Sequence, residues 1–282
     1  MKALLPLLAV FLTAPAFADT EVLDDLLPEP PPQQRTHLEL GVGVAGAAFP
    51  AYDGAAEKRT LVLPFPYFVI RSRFLDADHD QVRGKLLKSD DWSLDVDFGG
   101  NVDVTSSVTK ERQGMPDLDW MGEVGPALRY HLWRGGPGNG LDLVLPARVA
   151  TSVNAFRFHH RGFDSDPRLE WHRTWFQGRN DRLILDASFS TLFVDRGYAD
   201  YYYSVAPQYA TATRPAYDAP GGYSGWSTQA GVSWHRGDMV YGAFIEHTSL
   251  HGARFQSSPL VGDAGGWSFG LAIAWVIQRK DD

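Results

Sequence analysis

The stretch Trp92-Ser93-Leu94-Asp95-Val96-Asp97-Phe98-Gly99-Gly100-Asn101-Val102-Asp103-Val104 alternates from end to end. Successive side chains of a strand point to opposite faces. Trp92, Leu94, Val96, Phe98, Val102 and Val104 therefore share one face. Ser93, Asp95, Asp97, Asn101 and Asp103 share the other. The same pattern returns in Leu38–Val44, Leu118–Leu132, Leu141–Val153, Leu183–Phe193, Trp226–Trp234 and Trp267–Ile277. These runs exceed the roughly five or six residues of an ordinary soluble strand, and all but Leu38–Val44 reach the nine to eleven that cross a bilayer when tilted. Tryptophans 92, 120, 133, 226, 234, 267 and 275 stand near strand ends, where interfacial girdles form. No amphipathic helix is available to cover an exposed apolar sheet face. The pattern predicts an all-β fold, a transmembrane antiparallel up-and-down β-barrel with its apolar face toward lipid; the rival is a soluble sandwich.

Composition narrows the function classes. The chain has 282 residues and no Cys, which excludes thiol nucleophiles, disulfide scaffolds and Cys-based zinc sites. Its formal charge of −8 argues against a nucleic-acid partner. Met1–Ala18 reads as a signal peptide: Lys2, the apolar run Ala3–Leu12, then Ala16-Phe17-Ala18 before Asp19. Export to the cell outer membrane of a Gram-negative bacterium follows. Asp19–Arg35 is acidic and contains Pro28-Glu29-Pro30-Pro31-Pro32, read as an extended periplasmic tail. The expected organisation is a signal peptide 1–18, a tail 19–35, a barrel 36–277 and a C-terminal tail 278–282.

Spanning strands are expected near 36–48, 60–73, 91–104, 118–133, 140–158, 168–177, 182–195, 223–236, 239–250 and 266–277. That makes ten, with Gly237-Asp238 as a hairpin turn. Long connections at 49–59, 105–117, 159–167, 196–222 and 251–265 then share one side. The connection 74–90 breaks that rule. Gln81–Lys88 and Tyr201–Tyr209 are unplaced, and twelve strands is the alternative.

The order of several short motifs resembles the MipA/OmpV family of outer-membrane proteins. Gly41-Val42-Gly43, Phe49-Pro50-Ala51-Tyr52-Asp53-Gly54 and Leu63-Pro64-Phe65-Pro66-Tyr67 look like its opening. Tyr202-Tyr203-Ser204-Val205, Pro215-Ala216-Tyr217-Asp218-Ala219 and Ser258-Pro259-Leu260-Val261 look like its later landmarks. Ser204 departs from the family's usual Gly, and Val276–Asp282 run on past the terminal aromatic Trp275. The resemblance implies a scaffold. The name-giving member is described as bridging a lytic transglycosylase and a penicillin-binding protein, so these are the expected partners, beside membrane lipid and lipopolysaccharide. The motif positions Tyr52, Gly54, Pro64, Pro66, Tyr67, Tyr203, Tyr217, Ser258 and Pro259 are the candidate family landmarks.

Enzyme chemistry finds little support. His247, Ser249 and Glu246 lie close in sequence, but the carboxylate falls on the opposite strand face from the other two. His159 and His160, beside Arg157 and Arg161, read as a solvated loop, with contact to lipopolysaccharide phosphates as the sharper alternative. Asp76-Ala77-Asp78-His79-Asp80 resembles half a calcium loop without its Gly and Glu, and is read as a charged turn. No phosphate-binding glycine loop is present, and no catalytic residue, metal or cofactor is expected. The charges Glu39, Asp95, Asp97, Asp103, Asp119, Glu123, Asp142, Asp186 and Glu246, with Arg129 and Arg148, are expected in the lumen, as a mutually satisfied network. A non-enzymatic anchor for peptidoglycan enzymes is the expected function. A narrow solute channel and a lipid-modifying barrel enzyme are the alternatives.

Overall fold

The computed structural model describes residues 37–71, 75–78, 82–84, 87–89, 91–136, 138–154, 157–178 and 181–281. The expected signal peptide and acidic tail lie outside them. The strands are β1 (His37–Pro50), β2 (Lys58–Arg71), β3 (Leu75–Asp78), β4 (Val82–Gly84), β5 (Leu87–Lys88), β6 (Trp92–Asn101), β7 (Trp120–Arg134) and β8 (Asn139–Pro146). They continue as β9 (Arg148–Asn154), β10 (Arg157–Ser165), β11 (Arg168–Gly178), β12 (Asp181–Val194), β13 (Gly222–Arg236), β14 (Met239–Ser249) and β15 (Gly265–Asp281). One helix, α1 (Arg196–Tyr203), interrupts them. Among the described residues no helix is long and apolar enough to cross a membrane.

These pieces build one sheet of 12 antiparallel strands. β8 and β9 are one strand broken at Ala147, since β7 pairs with both. β10 and β11 are one strand broken at Asp166-Pro167, facing β9 and β8 in turn. β4 and β5 together occupy the place between β3 and β6. β15 pairs with β1, and the sheet curls back to β6 and β7 as a barrel.

The preferred count of ten strands is therefore corrected to twelve. The connection 74–90 is not a long turn but carries the two short strands β3 and β4–β5. A pair of strands returns the chain to the same end, so no later loop changes side. Tyr201–Tyr209 does not span. Asp195 accepts the Tyr198 N–H at 2.9 Å as an N-cap, and Tyr198, Tyr202 and Tyr203 then share the buried side of a helix. The expected loop 159–167 is also corrected. Its charges suggested solvent, yet His159 and His160 pair with Ser152 and Thr151. The charged turn expected at 76–80 begins within β3, and residues 79 and 80 lie outside the described residues. Residues 278–281 are not a tail but the end of β15, because they pair with 37–40. At the bulge there, a Cβ on Gly41 would run into the Trp275 carbonyl, so the close approach requires glycine.

The faces sort as the alternation requires. Leu271 (69% exposed), Ile277 (62%) and Trp275 (55%) point outward with Val42, Val44, Leu128, Leu132 and Phe189. Near the loop end an outer aromatic band runs Phe189–Trp226–His247–Trp267–Phe269, with centroids 4.6–6.3 Å apart in successive pairs. Trp234 and Tyr241 stand near the other end, beside the Gly237-Asp238 turn. An apolar belt between aromatic girdles is what a bilayer selects. Leu271→Arg should therefore cost about 2–4 kcal/mol of folding free energy in a bilayer. Urea titration of the refolded barrel in vesicles measures it. Ala272→Ser, one residue on and facing inward, should shift the midpoint far less.

Candidate functional site

All the long connections leave the barrel at one end: 51–57, 102–119, 195–221 and 250–264. They do not hang as separate loops. Their apolar residues Ala51, Tyr52, Val104, Leu118, Tyr198, Tyr202, Tyr203, Leu250 and Phe255 form one buried cluster. Tyr203 is its centre. Its ring stacks on Phe255 with centroids 3.8 Å apart, and its hydroxyl donates to the Asp53 carbonyl at 2.9 Å. Its own carbonyl accepts from the Ser258 hydroxyl at 2.6 Å. The Tyr52 hydroxyl donates to the Leu260 carbonyl at 2.7 Å. Arg112 donates to the Tyr202 carbonyl at 2.9 Å, and Arg214 to the carbonyls of Glu111 and Gln113, both at 2.9 Å. Burial lowers the Arg112 guanidinium from its usual value, raises the Asp53 carboxyl, and holds the Tyr203 phenol neutral.

The family-like landmarks thus converge although they lie far apart in sequence. Tyr52, Gly54, Tyr203, Ser258 and Pro259 meet in this cap. Gly54 has φ +95° and its carbonyl accepts from Gly262. Tyr217 bridges to Val205 and reaches the Ser257 hydroxyl at 3.2 Å. Ser204 ends α1 at φ −85°, where no glycine is needed, and its hydroxyl accepts the Ala219 N–H at 2.9 Å. Pro64, Pro66 and Tyr67 lie instead on β2, in the wall. The prolines face outward. Phe65, Tyr67 and Val69 face inward and pack with Val240, Ala274 and Val276 as an apolar floor across the lumen. Tyr67 is 1% exposed and donates to Glu39 at 3.2 Å, and Arg279 reaches the same carboxylate at 3.2 Å.

Between cap and floor the lumen has two unlike walls. On β6–β11 stands an ion network. Arg129 contacts Glu170 at 2.6 Å, Asp142 at 2.8 Å and Asp95 at 3.5 Å. Arg148 contacts Asp166 at 2.7 Å, Asp164 at 2.9 Å through Nε, Asp97 at 3.0 Å and Glu123 at 3.7 Å. Arg168 joins Glu170 at 2.6 Å and Asp97 at 2.9 Å. His131 contacts Asp142 at 2.8 Å. The Tyr198 hydroxyl donates to Glu123 at 3.1 Å, which ties the cap to this network. Asp142 was expected here, and Asp103 and Asp119, also expected inside, lie in the connection 102–119, whereas Asp164, Asp166, Arg168 and Glu170 were not among the expected lumen charges. The alternation of Arg168, Glu170 and His172 against Leu169 and Trp171 carries a readable signal for two of them. Asp164 and Asp166 were hidden by the bulge at His160/Gly162 and the break at Asp166-Pro167, which upset the parity. Of the expected set, Glu39 lies at the floor, Asp186 beside Gly231 on β12, and Glu246 on the opposite wall. That second wall, on β1, β2, β14 and β15, is mostly small or apolar.

The residues once weighed for catalysis are apart. Glu246 faces the lumen, while His247 lies outside between Trp226 and Trp267. Among the described residues no group of His, Asp or Glu could hold a metal ion.

A family model described as "MltA-interacting protein MipA" matches residues 42–277. No curated protein matches the sequence. Among solved structures, the chain is similar to a "Bacterial polysaccharide outer membrane secretin" at 9% identity and TM-score 0.43, covering 85% of this chain and 98% of that one. It is also similar to the NanC porin at 9% identity and TM-score 0.37, covering 83% and 98%.

Proposed function

From the premise that this chain belongs to the MipA family, and that it is an outer-membrane β-barrel, we propose that it serves as a non-catalytic anchor for periplasmic peptidoglycan enzymes. A lytic transglycosylase and a penicillin-binding protein are the partners. The family's description, an MltA-interacting protein, supports a protein partner. The observation that carries the reading is how the lumen is closed at both ends. An ion network lines one wall, an apolar floor crosses it, and a cap of packed loops roofs it. Such an interior holds a barrel rigid rather than letting solutes through.

The structure also redirects where contact is to be sought. The turns at the end opposite the cap are short, and the described parts of 74–90 are strands of the wall. β1 begins at that same end, and the acidic, proline-rich segment Asp19–Arg35 before it in sequence is the proposed docking peptide, which export by a signal peptide 1–18 would leave in the periplasm. Crosslinked capture from native outer membranes should enrich a lytic transglycosylase or penicillin-binding protein. Deletion of 19–35 should reduce that enrichment at least several-fold with the barrel intact. Recovery of abundant porins and lipoproteins alone would overturn the anchor.

A further inference from the structure

The space between cap and floor is a cavity of about 350 Å³, within the range of small-ligand sites. Leu61, Leu63, Phe65, Phe244 and Ala272 give it an apolar side. Its charged lining groups are carboxylates: Asp53, Glu123, Asp166 and Glu246. Arg148 answers Glu123 and Asp166. Among the described residues that line the cavity there is no Lys, Arg or His to answer Glu246 or Asp53. Carboxyl groups without a cation among the described lining residues, facing an aliphatic wall, are complementary to an alkylammonium and repel an anionic head.

Beside the cavity the pairing of the wall is interrupted. β3 pairs with β2 only over Val69–Arg71, and β5 pairs with β6 only at Ser93 and Leu94. Nearer the cap, among the described residues, no ladder joins residues 58–68 of β2 to residues 95–101 of β6. At the loop end the lips are tied by Arg59 donating to the Asp103 carbonyl. The pairing of β2 with β1 runs unbroken through Pro64 and Pro66. Proline has no N–H, so both nitrogens must face the other edge, toward the gap. Two donors are thus missing where an unpaired edge would be most costly in hydrocarbon, and strand addition there is discouraged. Leu61, Leu63 and Phe65 on one lip and Gly100, Asn101 and Val102 beyond the other all line the cavity. The cavity therefore lies directly behind the gap.

We propose that this cavity binds a single-chain aliphatic amine, which enters sideways from the bilayer between β2 and β6. The site is independent of the anchoring role, and either can fail without the other.

The test uses the full mature barrel, with folding checked by its heat-modifiable gel mobility. Native mass spectrometry with decylamine should show a one-to-one adduct, weaker with decanol and absent with decanoate. Glu246→Gln should reduce the decylamine adduct about tenfold and leave decanol unchanged. Ala272→Trp, which fills the cavity, should remove both. For the entrance, a benzophenone side chain placed at Leu63 in native membranes should crosslink to lipid acyl chains, as it should at outward-facing Val62. At Ser188, facing the lumen from β12, it should not. Equal decylamine binding by Glu246→Gln overturns the site, and crosslinking at Val62 but not Leu63 overturns the side entrance. If Ala272→Trp does not fold, the Glu246→Gln comparison stands by itself.

Discussion

Arg148→Met is expected to destabilise the barrel by about 3–5 kcal/mol, the cost typical of removing one partner from a buried ion pair. The reason is geometric. Arg148 is the shared counter-charge of Asp97, Glu123, Asp164 and Asp166, from strands β6, β7 and β10 and from the break before β11. Methionine keeps most of the volume and removes only the charge and donors. Four carboxylates are then left facing one another in a space closed by the cap above. The measurement is the urea midpoint of refolded protein in vesicles. A second variant separates charge from packing: Asp164→Asn in the Arg148→Met background should recover part of the loss. If Arg148→Met unfolds like the parent, the network does not hold the wall together.

Tyr203→Ala should be nearly as severe locally, at about 3–5 kcal/mol for a large buried aromatic. Its effect falls on a different part of the molecule. The ring is one of a stacked pair with Phe255, the hydroxyl ties 51–57 to 195–221, and the backbone carbonyl ties 250–264 to the same place. Removing it leaves a void where connections from different parts of the chain meet. The expected readout is new proteolytic cleavage within 195–221 and 250–264, with the strands still protected. Tyr203→Phe keeps the stack and loses one hydrogen bond, worth about 1 kcal/mol, so it should resist protease like the parent. Cleavage confined to neither loop in Tyr203→Ala would mean that the cap is not one packed unit.

How much of this was legible beforehand depended on parity. β6, β13, β14 and β15 could be read from alternation alone because no bulge disturbs their pairing with one another or with β7. β10 could not. Its basic residues mimic a solvated loop, and a bulge shifts the parity within it. β3 and β4–β5 are too short for a period to emerge. α1 was missed because a tyrosine-rich segment of eight residues satisfies a strand's composition as well as a helix's. The landmark motifs were visible as an ordered set, yet their meeting in one cap was not, since Tyr52, Tyr203 and Ser258 are joined by tertiary contacts that no local pattern encodes. The inward charges were readable wherever the strand was. The apolar floor was not, because Phe65, Tyr67 and Val69 reverse the usual rule that the lumen face is polar.

The account stands on a lumen that is floored and roofed rather than open from end to end. Single-channel recording of the purified barrel in a planar bilayer tests that most directly. The expected result is silence across a wide voltage range, with conducting steps appearing only when Tyr67→Ala opens the floor and Tyr203→Ala loosens the cap together. Stable, stepwise conductance by the unaltered protein would contradict the account and assign the barrel to solute transport.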